Sequence, residues 1–127
     1  MRILIAEDEF LVGVHLEEDL RSAGCSIVGP FSSLETAMRA ARRERFDLAV
    51  LDINLNGTMV YPLADELSAR GIPFIFLSGY IAADLPERFR QARQIAKPHD
   101  PAVLIEEIRA AAPKADRGHD APLKMPR

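Results

Sequence analysis

The chain alternates short apolar runs with longer stretches of helical spacing, and this alternation restricts its fold more than any other feature. The short runs that predict strands lie at residues 3–6, 26–29, 47–52, 72–77 and, more weakly, 94–96. The stretches that predict helices lie at residues 10–23, 33–44, 61–69, 84–91 and 101–112. Strands that alternate with helices form parallel sheets, because each right-handed crossover returns the chain in the same direction. The sequence therefore predicts an α/β domain with a doubly wound, five-stranded parallel sheet.

Residues at the segment ends support these boundaries. Gly24 and Gly71 are placed to end helices. Residues 32–35 have the spacing of a capping box, and Asp100, with a proline after it, is predicted to be the N-cap of the last helix. Residues 54–57, with the sequence NLNG, predict a polar loop after the third strand.

Length and composition fit one domain. A chain of 127 residues with 48% hydrophobic and 28% charged residues can bury a stable core without disulfide bonds or structural metal ions. Its single cysteine excludes an intramolecular disulfide framework and any site with several cysteine ligands. We predict a domain over residues 1–112 and a disordered tail over residues 113–127, which contains three prolines and little that could pack.

Charge and hydropathy narrow the expected partners and location. The net charge of −3 argues against a protein that coats nucleic acid or an anionic membrane. No apolar run approaches the roughly 20 residues of a transmembrane helix, and the apolar N-terminus is too short for a signal peptide. We therefore expect a cytoplasmic protein that binds neither nucleic acid nor membrane.

Chemically active side chains follow four of the predicted strands. Three acidic residues, 7–9, follow the first strand, Asp52 ends the third, Ser78 ends the fourth and Lys97 follows the fifth. The carboxyl ends of parallel strands lie at one edge of a sheet, and ligands of α/β domains bind there. We expect these side chains to converge at that edge.

The acidic residues at this edge predict a magnesium site. Bringing Glu7, Asp8 and Asp52 together costs free energy unless a cation offsets their charge. A set of oxygen ligands without cysteine suits Mg²⁺. Magnesium keeps several waters, so two carboxylates and one backbone carbonyl suffice. Asn54, two residues after Asp52, is placed to present that carbonyl.

A hard cation beside a carboxylate is also an arrangement for phosphoryl transfer. If Asp52 is the acceptor, the product is an acyl phosphate. Lys97 would hold one phosphoryl oxygen as a compact charge, and the Ser78 hydroxyl would hold another.

Four motifs in this order resemble those of the receiver domain of two-component response regulators: ILIAEDE at residues 3–9, LDIN at 51–54, LSG at 77–79 and AKP at 96–98. The resemblance covers nearly all of residues 1–112 and implies a flavodoxin-like receiver fold with strand order 2-1-3-4-5. It implies that Asp52 is the phosphoacceptor and receives its phosphoryl group from a sensor histidine kinase or a histidine phosphotransfer protein. Ser78 and Lys97 would then contact the phosphoryl group and report its presence.

The same resemblance assigns the metal ligands. By motif position, Asp8 and Asp52 would bind Mg²⁺ directly, and Glu7 would act mainly through a bound water. The Asn54 carbonyl would complete the protein ligands.

Two positions depart from the usual family pattern. Ile95 stands two residues before the lysine, where family members usually carry a tyrosine or phenylalanine that acts as a rotamer switch. Residues 76–80, FLSGY, resemble the Phe-x-Thr/Ser-Gly-Tyr motif of small stand-alone receivers of alphaproteobacteria. In this reading Tyr80 covers the phosphoryl site or takes over the switching role, and the segment between Tyr80 and Lys97 is the mobile face.

The leading hypothesis is a single-domain response regulator rather than an enzyme with an external substrate. It would signal by protein contact or phosphorelay, because no output domain is predicted, and a homodimer is compatible with this role. One alternative is a phosphatase of the haloacid dehalogenase class with Asp52 as nucleophile, but that class needs an acid where this chain has Asn54. A second alternative is a receiver-like binding module that is never phosphorylated, which the departure at Ile95 leaves open.

Overall fold

A parallel sheet with helices on both faces forms the domain in a computed structural model that describes residues 1–79, 84–112 and 123–126. In chain order its elements are β1 (Arg2–Ala6), α1 (Phe10–Ser22), β2 (Ser26–Phe31), α2 (Leu34–Arg43), β3 (Leu48–Asp52), β4 (Asn54–Leu55), β5 (Thr58–Met59), α3 (Tyr61–Ala69), β6 (Phe74–Ser78), a 3₁₀ turn (Glu87–Phe89), β7 (Arg93–Ala96) and α4 (Pro101–Ala111). The five-stranded sheet has the order β2-β1-β3-β6-β7, and every neighbouring pair is parallel. Since β6 and β7 are its fourth and fifth strands along the chain, the predicted order 2-1-3-4-5 is confirmed.

The central strands are apolar throughout because both of their faces are covered. In β1, Leu4 packs into a core with α2 and α3, while Ile3 and Ile5 pack into a second core with α1 and α4. In β3, Leu51 and Val50 divide between the two cores in the same way. All five side chains are fully buried, so the polar residues that follow these strands project from a rigid base.

Strand β2 continues past its predicted end at Gly29. Its pairing with β1 shifts by one residue after Val28, and Gly29 has a φ of 107°, which only glycine adopts without strain. A Cβ at this glycine would lie 2.8 Å from a backbone oxygen of β1. The bulge and the position at the sheet edge explain why Pro30 is tolerated within the strand.

The helix predicted over residues 84–91 is wrong. This segment contains only the 3₁₀ turn Glu87–Phe89, because Pro86 before it has an extended backbone with a ψ of 146°. Phe89 is buried against an aromatic cluster, and its ring centroid lies 5.6 Å from that of Tyr61 and 5.4 Å from that of Phe76. Packing of one aromatic side chain thus decides the conformation where helical spacing was weak.

The loop predicted at residues 54–57 is a small antiparallel hairpin. Strands β4 and β5 are joined by Asn56 and Gly57, whose φ values of 51° and 89° are those of a type I′ turn. The Asn-Gly dipeptide is the strongest short-range hairpin signal, so this element could have been predicted from the sequence.

Two residues of the predicted tail, Leu123 and Lys124, form hydrogen bonds with the domain. The backbone N–H of Lys124 donates to the Ala23 carbonyl at 2.9 Å, and Arg109 Nη2 donates to the Leu123 carbonyl at 3.1 Å. Residues 113–122 and residue 127 lie outside the described residues, so the domain boundary and the disorder of the tail remain predictions.

Among the helices of the described ranges, none is long and apolar enough to cross a bilayer.

Candidate functional site

The strand ends bring the acidic residues and the lysine to one edge of the sheet. Glu7 and Lys97 directly follow β1 and β7, and Asp52 is the last residue of β3. Ser78 is the last residue of β6, is buried, and accepts a hydrogen bond at its backbone carbonyl from the N–H of Lys97 at 2.7 Å. The prediction that these strand ends lie together at one edge of the sheet is therefore confirmed.

Lys97 lies at the centre of the acidic cluster. Its ammonium nitrogen donates to Asp52 Oδ2 at 2.8 Å and to Glu9 Oε1 at 3.0 Å. It also lies 2.9 Å from Glu7 Oε1 in an ion pair. Only 13% of the lysine side chain is exposed, so these contacts are poorly screened by solvent. The Lys97–Pro98 peptide bond that follows is cis.

Backbone N–H groups orient the carboxylates. The Asn54 N–H donates to Asp52 Oδ1 at 3.1 Å, and the Asn56 N–H donates to Asp8 Oδ2 at 2.9 Å. Both donors belong to the β4–β5 hairpin, which is closed by a bond from the Gly57 N–H to the Asn54 side-chain oxygen at 2.6 Å. This hairpin, which the sequence predicts only as a polar loop, therefore holds two of the predicted site residues.

The protonation behaviour of the site follows from burial and crowding. Burial raises the pKa of Glu7 from 4.5 to about 8, and the neighbouring Asp52 adds to this rise. Burial also raises the pKa of Asp52, although the hydrogen bond from Lys97 opposes it. For Asp8 the modest burial is outweighed by its interactions with Glu7 and the Asn56 N–H, which lower the pKa. For Lys97 the three adjacent carboxylates outweigh burial and raise the pKa.

The donor set fits a hard divalent cation. Carboxylate oxygens of Glu7, Asp8, Glu9 and Asp52 all lie within 4.8 Å of one another, and Lys97 alone faces this excess of negative charge within the described part of the chain. The Oε1 atom of Glu7 is buried, and its close polar neighbours among the described residues include the Lys97 ammonium, 2.9 Å away. A buried carboxylate oxygen among acidic neighbours that share a single ammonium group matches the ligand preference of Mg²⁺.

Not every predicted residue is placed in this cluster. Asn54 lies next to it through its backbone, but its side chain turns to the hairpin. Tyr80 lies outside the described residues, so its predicted switching role stays a prediction. Ile95 is buried in the core beneath the sheet edge. Glu9 was missed as a site residue, although its place as the third acid after β1 was a usable signal.

The comparisons with known proteins agree on one family. Residues 3–109 match the family described as the response regulator receiver domain. The transcriptional regulatory protein PdtaR of Mycobacterium tuberculosis is 34% identical over 114 residues, which cover 87% of this chain and 56% of that protein. The chain thus spans about half the length of this curated relative.

Solved structures give the same result. The solution structure of SdrG from Sphingomonas melonis Fr1 has a TM-score of 0.79 and 32% identity, and the match covers 87% of this chain and 95% of SdrG. The signal receiver domain of a modulated diguanylate cyclase from Desulfovibrio desulfuricans G20 has a TM-score of 0.77 and 30% identity. This match covers 87% of the present chain and 91% of that domain's chain. With its sheet order and acidic strand ends, the chain belongs to the response regulator receiver domain family of two-component systems.

Proposed function

We propose that Asp52 accepts a phosphoryl group, with Mg²⁺, from the phosphohistidine of a sensor histidine kinase or a histidine phosphotransfer protein. The observation that carries this proposal is the setting of the Asp52 carboxylate. One oxygen accepts from Lys97 at 2.8 Å, the other accepts from the Asn54 N–H at 3.1 Å, and three more carboxylates lie beside it. A nucleophile held in this way is oriented before the phosphodonor arrives.

The transfer exchanges one bond for another. The Asp52 carboxylate forms a P–O bond while the P–N bond of the phosphohistidine breaks, and the imidazole, protonated on its other nitrogen, leaves as a neutral ring. The Lys97 ammonium group already lies within hydrogen-bond distance of the attacking carboxylate. It would turn toward a phosphoryl oxygen and form an ion pair with it. Ser78, at the end of the adjacent strand, would contribute its hydroxyl.

The residues that would hold the metal are those at the carboxyl ends of β1 and β3. The carboxylates of Asp8 and Asp52 would bind it directly, Glu7 would act through water, and Asn54 would offer its carbonyl. Bound Mg²⁺ would offset charge on the carboxylates and on the transferring phosphoryl oxygens. The raised pKa of Glu7 reflects its burial first and the neighbouring Asp52 second, and a bound cation would favour the ionised carboxylate against both effects.

Phosphorylation is the event that would carry the signal. The new charge on Asp52 would draw Ser78 and Lys97 toward it and so bias the β6–β7 face between two arrangements. The signal would then leave by protein contact or by transfer of the phosphoryl group to a second histidine. Since Ile95 is a buried aliphatic residue, the usual aromatic rotamer switch is absent at that position. We propose that Tyr80 takes this role.

The test is intact mass spectrometry after incubation with acetyl phosphate, with and without Mg²⁺. The parent protein should gain one phosphoryl group only when the metal is present. Asp52→Asn should gain none, because the amide is not a nucleophile. Asp65→Asn is the matched control, since Asp65 is half exposed in an ion pair with Arg88 on the surface and should leave the adduct unchanged.

Each other outcome contradicts the proposal in a distinct way. An adduct that persists in Asp52→Asn would place the acceptor elsewhere. Multiple-turnover release of phosphate without an adduct would favour the phosphatase alternative. If neither acetyl phosphate nor a phosphorylated histidine kinase produces an adduct, the chain would be a receiver-like binding module.

A further inference from the structure

A buried histidine joins the loop that carries Lys97 to the first helix. His99 lies two residues after the lysine, its side chain is only 6% exposed, and its Nε2 atom lies 2.6 Å from Asp19 Oδ2 on α1. An ionised carboxylate accepts hydrogen bonds only, so the Nε2–H group of His99 is the donor. The motifs that mark the site do not include either residue.

This bond is placed where it can determine the direction of Lys97. The loop from Lys97 to Asp100 begins with the bond from the Lys97 N–H to the Ser78 carbonyl at 2.7 Å. It ends where the Asp100 side chain accepts from the Ala102 N–H at 2.8 Å and caps α4. The first of these bonds attaches the loop to β6, and the second attaches it to α4. The His99 side chain attaches it to α1.

Helix α1 meets this loop at a second point. Glu9, immediately before the helix, accepts from Lys97 Nζ at 3.0 Å, while Asp19 holds His99 three helical turns further along. When Lys97 turns to a phosphoryl group on Asp52, we expect its ion pair with Glu9 to break, because Glu9 is exposed and its carboxylate can be solvated instead. The buried contact of His99 does not involve the lysine side chain and would persist.

We propose that His99 and Asp19 are positioning residues that keep Lys97 directed at Asp52 during phosphoryl transfer. This inference rests on the proposed function of Asp52. His99 and Asp19 touch neither the reacting carboxylate nor its phosphoryl group. They act by preventing the loop from moving away from α1, which would withdraw the lysine from the acceptor.

The test compares His99→Phe with His99→Gln in the 127-residue chain. Phenylalanine keeps a planar, slightly larger ring but has no donor, whereas the glutamine amide nitrogen can donate from a position close to that of Nε2. At saturating Mg²⁺, His99→Phe should lower the maximal rate of Asp52 phosphorylation by acetyl phosphate by about 10- to 100-fold, as expected for a misplaced catalytic group. The apparent KM should change little, and His99→Gln should retain a rate near that of the parent.

A double-mutant cycle separates positioning from general damage. In a Lys97→Ala background, His99→Phe should cause no further loss of rate, because no lysine remains to be positioned. An equal loss in both backgrounds would overturn the inference. A parent-like rate for His99→Phe would overturn it as well.

A readout on the lysine itself keeps this inference distinct from the proposed function. In protein labelled with ¹³C-lysine, the ε-CH₂ resonance of Lys97 should shift in His99→Phe and stay in place in His99→Gln, without any phosphodonor. If the parent takes up no phosphoryl group, the proposed function fails while this resonance still tests the positioning. An unshifted resonance in His99→Phe would refute it.

Discussion

Replacing Glu7 with glutamine should stabilise the metal-free protein at alkaline pH. The pKa of Glu7 is raised from 4.5 to about 8, so between these values the folded protein holds a proton that the unfolded chain has released. The free energy of unfolding of the parent therefore falls as the pH rises from about 4.5 to about 8. Glu7→Gln removes this dependence and can still accept the hydrogen bond from the Glu9 N–H.

The size of the effect follows from the same pKa. One pKa unit corresponds to about 1.4 kcal/mol, which sets a ceiling of about 5 kcal/mol on the stability lost by pH 8. The loss between pH 5 and pH 8 is smaller than this ceiling, because the unfolded chain is already largely ionised at Glu7 at pH 5 and the folded carboxyl is only about half ionised at pH 8. We expect the variant to gain about 3 kcal/mol over the parent between pH 5 and pH 8.

The assay is urea unfolding in EDTA at pH 5, 6, 7 and 8, followed by circular dichroism. Glu18→Gln, on the exposed side of α1, is the matched control and should track the parent at every pH. A difference between Glu7→Gln and the parent that does not change with pH would refute the reasoning, because Glu7 would then be equally ionised in the folded and unfolded states. Added Mg²⁺ should stabilise the parent more than the variant at pH 8.

Three further predictions concern the same edge of the sheet and its base. Lys97→Ala should lower the free energy of unfolding of the metal-free protein by about 2–3 kcal/mol at pH 8, measured in urea, because buried carboxylates lose their counter-ion. Millimolar Mg²⁺ should raise the Tm of the parent, and Asp52→Asn should reduce that shift in differential scanning fluorimetry, because one ligand is lost. Gly29→Ala should cost more than about 2 kcal/mol in urea, since its Cβ would lie 2.8 Å from a backbone oxygen, whereas Gly24→Ala, with a similar φ of 100° and no atom within 4 Å, should cost about 1 kcal/mol. Equal losses for the two glycine variants would contradict the steric argument.

Several elements of the fold could be predicted from the sequence, because they depend on the types and spacing of residues that are close together along the chain. Continuous apolar runs predicted β1 and β3, since strands covered on both faces have no polar side. Asp100 before a proline predicted the start of α4, and its side chain does cap that helix. The hairpin after β3 was equally local, because Asn56 and Gly57 adopt the positive φ values that their residue types favour.

Other features could not be read locally. The segment before β7 has residues compatible with a helix, yet Phe89 packs into an aromatic cluster whose members come from α3 and β6. The contact between His99 and Asp19 joins residues 80 positions apart along the chain. Contacts of this range depend on how helices pack on the sheet, which local spacing does not encode.

The sequence by itself determined the α/β class, the strand order implied by the resemblance, and the acidic and basic residues at the strand ends, because periodicity and residue type carry that information. Only the tertiary structure decided how these residues interact. It placed Lys97 among three carboxylates, made Glu9 a member of the cluster, and oriented Asp8 and Asp52 through backbone N–H groups of a hairpin. It also buried Glu7, which raises its pKa to about 8. The physical reason is that charge interactions and desolvation depend on distance and burial in space, and the folded sheet alone sets both.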